Sequence, residues 1–367
     1  MIRVRECAHS AHHPESFSLR ALFYVEQNYA YAILRPLQQE ILRRGGEVRW
    51  FAVGDEIDTR HLDASEQLLT SVPEVRRWAP EVVFAPNDTV SRVIPGLKVA
   101  VFHGFAAGKS YSRSEDAHFT IRDCFDMYCT HGPSSTERFR QLAHEHGHFE
   151  VEETGWPMVD PLFTPTAENP YIDAEDERQT VLFCSTFSRR YSHAETLYDA
   201  VRELKGTGRF RWLVQFHPKM AASTVQKYRD LSDENLQFVE TDNVIPVLQA
   251  ADMMLCDTSS ILMMFLLQHR PVVAFRNANP GGHLISIEDV EELPQALERA
   301  SVPDQARDAA IREFCDQTHP YRDGLSSVRV IDTVERILNQ GLQVRRRKPM
   351  NLVREFKMRK RLNYWLP

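Results

Sequence analysis

Residues 252–275 read DMMLCDTSSILMMFLLQHRPVVAF. Met253 to Cys256 is apolar throughout, Asp257-Thr258-Ser259-Ser260 is a polar break, Ile261 to Gln268 is an apolar helix, and Pro271 to Phe275 is apolar again. A strand buried on both faces, a covering helix and a second such strand form a βαβ unit, which requires a parallel sheet. The same grammar runs outward. Thr180 to Cys184, Arg211 to Phe216 and Leu236 to Val239 are further strands, with helices starting near His193, Ala222 and Val244. Trp156 to Tyr171 holds Pro157, Pro161, Pro165 and Pro170 and reads as a linker. Before it, Ala21 to Val25, Val48 to Val53, Glu81 to Ala85 and Lys98 to Phe102 are strands, and Ala32 to Arg44 is a helix stopped by Gly45-Gly46. The expectation is an α/β protein of two doubly wound, Rossmann-like parallel-sheet domains facing a cleft. Their bounds are 1–160 and 161–338, followed by a tail, 339–367. Ligands then lie beyond the carboxyl ends of the strands.

A chain of 367 residues exceeds what one hydrophobic core usually serves, and 43% hydrophobic with 26% charged residues is a globular composition. No run of about twenty apolar residues occurs, so no membrane-spanning helix is expected. The start, MIRVRECAHSAHHPE, lacks a secretory apolar core, and the six cysteines include no CxxC pair. Reduced thiols in a cytoplasmic protein are expected. The net charge of −7 hides an asymmetry. Residues 345–367 carry nine bases and one acid, Glu355, leaving −15 on the first 344 residues. An acidic body of this kind repels polyanions, so nucleic acid is not an expected partner.

Several motifs fail on spacing. Gly104 to Ser110 (GFAAGKS) follows a strand, but a P-loop needs four residues between its glycines and this stretch has three. No GxGxxG exists, which removes the dinucleotide fingerprint, and no cofactor is expected. His144, His146 and His148 (HEHGH) would put two imidazoles on one helix face. Gly147 interrupts that helix and no Asp or Cys stands at a motif spacing, so a solvated helix end is expected and no metal. No Asp-x-Asp clamp occurs. A bound diphosphate must therefore be met by Arg, Lys, His or backbone dipoles.

The informative positions are strand ends. His103-Gly104 closes one strand, where glycine admits a ligand to the backbone and histidine titrates near neutrality. His217-Pro218-Lys219 closes another and offers an imidazole and an ammonium. Asp257-Thr258-Ser259-Ser260 closes a third; its hydroxyls serve either as ordinary helix caps or as phosphate ligands.

Together these blocks resemble the CDP-glycerol glycerophosphotransferases, a GT-B family that primes and polymerises teichoic acids. The resemblance rests on His103-Gly104, Thr154-Gly155-Trp156-Pro157 with Asp160, and His217-Pro218. It continues through Ala251-Asp252, Asp257 to Ser260 and Arg270 to Phe275. It ends in Pro320 to Gly324 with Ser326-Ser327 and Arg329. It implies transfer of phosphoglycerol from CDP-glycerol, or a related nucleotide donor, to a hydroxyl of a glycan or lipid-linked acceptor, releasing CMP. Residues 1–160 would serve the acceptor and 161–338 the donor. His103 would be the general base, His217 would stabilise diphosphate charge, and Gly104, Arg189, Lys219, Asp257, Thr258, Ser259 and Ser260 would contact substrate. Where the family has Thr-Trp-Arg, this chain has Thr186-Phe187-Ser188-Arg189, and Pro-Arg-x-Asp is here Pro157-Met158-Val159-Asp160. The alternatives are glycosyl transfer or epimerisation of a UDP-sugar, and a non-enzymatic membrane-associated scaffold. The basic tail, NLVREFKMRKRLNYWLP from Asn351, has the composition of a helix lying on an anionic membrane surface, and implies a peripheral enzyme at the inner face of the cell membrane.

Overall fold

The computed structural model describes residues 18–105, 117–164, 168–241 and 243–366. Residues 106–110 of the P-loop-like stretch, Cys7 and the first residues of the chain lie outside them. The first sheet contains β1 (Arg20–Val25), β2 (Glu47–Ala52), β3 (Gln67–Leu69), β4 (Val82–Ala85), β5 (Leu97–Ala100), β6 (Met127–Thr130) and β7 (Glu150–Glu153). Their order is β3-β2-β1-β4-β5-β6-β7. The second contains β8 (Thr180–Ser185), β9 (Arg211–Phe216), β10 (Leu236–Phe238), β11 (Met253–Cys256), β12 (Val272–Phe275) and β13 (Ile285–Ile287), ordered β10-β9-β8-β11-β12-β13. Every pairing described is parallel. In both sheets the order reverses beside the first strand, between β1 and β4 and between β8 and β11. These are the switch points at which ligands bind such sheets.

Period-two alternation explains why both faces of each sheet are covered. Ala21, Phe23 and Val25 of β1 enter one core while Leu22 and Tyr24 enter another. Leu182 and Cys184 of β8 join the same cluster as Phe23, and Val181 and Phe183 join a third. One apolar core thus runs through both halves. The proline-rich linker contributes to it. Pro157–Leu162 coils into a 3₁₀ turn whose Val159 and Leu162 are buried, packed against α1 (Tyr29–Arg43) and α6 (Ile245–Ala250). Among the helices of the stretch 161–338, α9 (Gln305–Thr318) lies on α3 (Pro133–His146), and α10 (Ser326–Gln340) lies on α1. Asp160 fixes that return by accepting the Ser326 and Ser327 backbone N–H groups at 2.8 and 2.7 Å, at the start of α10. The five described cysteines are buried. Among the described residues no helix is long and apolar enough to cross a membrane.

The tail is docked on the body. Its helix, α11 (Leu352–Arg361), lays Met358 on the outer core of the first sheet, with Leu362 and Tyr364 just beyond it. The tail's one acid, Glu355, faces inward and accepts Ser91 Oγ at 2.8 Å and the Arg92 N–H at 3.2 Å. Lys348 pairs with Asp126 at 2.5 Å and Arg361 with Glu26 at 2.9 Å. The negative body attracts the positive tail. Leu352, Val353, Phe356, Trp365 and Leu366 nevertheless remain exposed on the outer side, with Lys357 and Lys360.

Candidate active site

His103 lies three residues beyond β5. Phe102 before it takes a left-handed backbone, φ 54°, which turns the chain at the strand end. His103 is exposed, its ring lies 5.4 Å from that of Tyr29, and its Nδ1 is 3.2 Å from the Pro86 carbonyl beyond β4. A carbonyl only accepts, so Nδ1 carries the proton and Nε2 holds a lone pair: the base tautomer. Among the described residues nothing lies within 4 Å of where a Cβ on Gly104 would be.

His217 shows the opposite arrangement. The Lys219 backbone N–H donates to His217 Nδ1 at 3.0 Å, so in the neutral ring Nε2 carries the proton and is a donor. The ring sits 4.3 Å from that of Phe187 and is exposed, as are the Lys219 and Arg189 side chains.

Asp257, expected from the sequence as a substrate contact, lies inside the junction of the strand-end loops. It is wholly buried, and its carboxylate accepts Ser185 Oγ, the Thr186 N–H at 2.9 Å and the His193 N–H at 3.1 Å. Asn277 Nδ2 donates to the Asp257 carbonyl at 3.0 Å, and the Ala278 N–H donates to Thr258 Oγ1 at 2.9 Å. Asp257 and Thr258 therefore bind the loops after β8, β11 and β12 to one another, which makes them positioning residues. Both side chains are buried. Ser259 is half-buried and Ser260 exposed. Ser260 occupies the N-cap of α7 (Ile261–Leu266) without a side-chain capping bond, so the ordinary capping role is not what occupies its hydroxyl.

A second histidine group was missed from the sequence. His131-Gly132 closes β6 as His103-Gly104 closes the neighbouring strand, a signal legible once β6 is recognised. His131 is 3% exposed, its Nε2 has no hydrogen-bond partner, and Phe105 and Trp156 lie within 5.2 Å of its ring. Burial, then the neighbouring His118, His319 and His103, pushes its pKa well below the usual imidazole value. Gly132 has no room for a Cβ, which would lie 2.5 Å from the Thr318 carbonyl, so the end of α9 closes over this strand end. His319 Nε2 accepts the Trp156 N–H at 2.9 Å and so joins the Thr154–Pro157 block to the Pro320–Gly324 block. Gly155, at φ 79°, takes the left-handed turn that lets them interleave.

Burial pulls the His319 pKa down to about 4. As pH falls below about 6.5 the unfolded ring takes up a proton while the native ring does not, until about pH 4. Stability is therefore full above about pH 6.5 and declines on acidification through that window, by about 3 kcal/mol from this residue. Urea midpoints measured from pH 7 to pH 4 are expected to fall less steeply in His319→Gln than in the parent. Parallel slopes would show that His319 is not the group responsible.

A concavity of about 880 Å³ lies at the opposite, amino ends of β9 and β10. Asp173, Glu175, Asp176, Glu177, Asp233 and Glu234 line it, against Arg178 and Arg211, a poor setting for a diphosphate.

The fold matches solved structures of low sequence identity. The wall teichoic acid polymerase TagF aligns with TM-score 0.64 and 13% identity, over 88% of this chain and 90% of that one. The S. aureus MnaA–UDP structure aligns with TM-score 0.62 and 12% identity, over 90% and 100%. A putative UDP-N-acetylglucosamine 2-epimerase from Listeria monocytogenes gives TM-score 0.62 and 11% identity, over 90% and 99%. These likenesses show the GT-B fold. No curated protein sequence matches the chain. The model of the CDP-glycerol:poly(glycerophosphate) glycerophosphotransferase family matches residues 104–279, the stretch that starts at Gly104, immediately after His103, and includes His217 and the Asp257 hub. Residues 104–279 thus match the model of the CDP-glycerol:poly(glycerophosphate) glycerophosphotransferase family, within a chain that has the two-domain GT-B fold.

Proposed function

We propose that the protein transfers phosphoglycerol, or a close phospho-polyol, from CDP-glycerol to a hydroxyl of a cell-surface glycan or lipid-linked precursor and releases CMP. The observation that supports this reading is the hydrogen bonding of two strand-end histidines, His103 just before the family-matched segment and His217 within it: Nδ1 of the first lies against a carbonyl, and Nδ1 of the second accepts a backbone N–H. His103 Nε2 takes the proton of the acceptor hydroxyl as its oxygen bonds to the glycerol-bearing phosphorus. The bond from that phosphorus to the CMP oxygen breaks, and His217 Nε2–H meets the charge left on the departing phosphate. In-line transfer needs a base on one side and a charge stabiliser on the other. Residues 1–160 serve the acceptor and 161–338 the donor, with Arg189, Lys219, Gly104, Ser259 and Ser260 beside the substrates.

Ser259→Ala with Ser260→Ala tests the donor assignment. Loss of a working N-cap costs about 0.5–2 kcal/mol, but Ser260 makes no capping bond here. The melting temperature is expected to stay within about a degree of the parent while CDP-glycerol affinity drops about tenfold or more, the scale of one or two lost hydrogen bonds to a charged group. Unchanged affinity would remove these serines from the donor site.

A UDP-sugar reaction is the second reading, favoured by the near-equal likeness of the fold to MnaA bound to UDP. The nucleotide released separates them.

The outer side of α11 is the proposed contact with an anionic membrane, which would place the enzyme at the inner face. Each base near such a surface contributes on the order of 1 kcal/mol, and apolar side chains entering the headgroup layer add to this. The full chain is expected to co-sediment with anionic vesicles in low salt. Phe356→Ala with Trp365→Ala should abolish this without lowering the melting temperature, since both side chains are exposed. Removing residues 345–367 should instead destabilise the fold by about 3–5 kcal/mol, through lost apolar packing and the orphaned partners of Glu355. Vesicle binding that survives the double substitution would place the membrane contact elsewhere.

A further inference from the structure

Behind the first sheet, away from the strand ends that carry the site, three metal-ligating side chains converge. Asp123 comes from the loop before β6, His146 from the last residue of α3, and His148 from just beyond Gly147. One ligand atom from each lies within 4.8 Å of the other two. His148 is 2% exposed, and neither of its ring nitrogens has a hydrogen-bond partner. Its Nε2 stands 3.4 Å from Asp123 Oδ1, and His146 Nδ1 stands 3.9 Å from the same oxygen. A separation of 3.4 Å is long for a hydrogen bond. It is close to the edge of a tetrahedron around zinc, where ligands about 2.0–2.1 Å from the ion lie about 3.4 Å apart.

We propose that Asp123, His146 and His148 form a site for a divalent first-row transition metal, zinc above all, with water at the fourth position. Two imidazoles and one carboxylate suit that ion, whereas magnesium and calcium prefer all-oxygen shells. Burying an imidazole whose ring nitrogens make no hydrogen bond is costly, and ligation would satisfy a His148 nitrogen that now has only the long contact to Asp123. The ammonium of Lys348, whose charge acts on His148, is held by Asp126 at 2.5 Å, so that charge is offset there.

The position gives the site a purpose. The Arg345 and Arg346 N–H groups donate to the Gly147 carbonyl at 2.9 and 2.8 Å, between the two histidines. Lys348 Nζ donates to the Cys124 carbonyl at 3.0 Å, next to Asp123. The strap leading to α11 is therefore moored on both sides of the triad, and a bound ion clips its anchorage.

The test uses the full chain, stripped with chelator and titrated with zinc chloride against a chromophoric competitor. The parent is expected to take up about one equivalent, to melt at a higher temperature with zinc than without, and to exchange the Arg345 and Arg346 amide hydrogens more slowly. His146→Gln leaves buried His148 in place and should fold. It and Asp123→Asn should each weaken zinc binding by at least about 100-fold and abolish the gain in melting temperature. A variant with His9, His12 and His13 changed to Ala should bind as the parent does. No uptake by the parent, parent-like uptake by His146→Gln and Asp123→Asn, or loss of uptake with the upstream histidines would each overturn the proposal.

Discussion

His103→Gln is expected to lower turnover of CDP-glycerol by about 10²–10⁴-fold, the usual range for loss of a general base, while leaving donor affinity close to that of the parent. The side chain is exposed, and its one hydrogen bond among the described residues is to the Pro86 carbonyl. A Gln amide can keep a donor near that carbonyl but has no basic nitrogen. Steady-state rates and equilibrium binding measured on the same preparation separate the two effects. A variant that turns over like the parent would make His103 a packing partner of Tyr29 and remove the base from the mechanism.

The second large effect is expected at His217. His217→Ala should cost about 10²–10³-fold in kcat/KM, the scale for a single donor aimed at developing charge. His217→Asn discriminates between roles. Its side-chain oxygen can still accept the Lys219 N–H and preserve the turn, but it offers no donor where Nε2 stands. Recovery of activity in the Asn variant would mean that the imidazole only shapes the turn; persistent loss supports charge stabilisation.

The parallel α/β architecture was legible because strands buried on both faces leave unbroken apolar runs, as in TVLFC and PVVAF. The edge strands were not. Glu150–Glu153 is a half-exposed edge of the first sheet and reads as a polar loop, although pairing with β6 makes it a strand. β6 itself follows a polar stretch, RDCFD, and with it went the second His-Gly strand end, His131-Gly132.

Side-chain roles were less legible than positions. The polar cluster at 257–260 stands at a strand end as read, but which members face solvent depends on loops supplied by residues 185–193 and 276–279. Asp257 lies inside that junction and only Ser259 and Ser260 reach out of it. Composition singled out the tail, yet it could not show that Glu355 faces a partner at Ser91, which docks the helix. The HEHGH stretch lacked an acidic partner at any motif spacing because that partner, Asp123, comes from the far side of β6 and α3.

The central claim is that the site cleaves CDP-glycerol between its phosphates. The purified full chain, with a hydroxyl-bearing glycan or lipid-linked acceptor fraction, should be supplied separately with CDP-glycerol and with UDP-N-acetylglucosamine, and the nucleotide products separated by anion-exchange chromatography. The account predicts acceptor-dependent release of CMP from CDP-glycerol, suppressed by His103→Gln, and no UDP release or sugar epimerisation. Release of UDP or an epimerised sugar, with CDP-glycerol left intact, would contradict it.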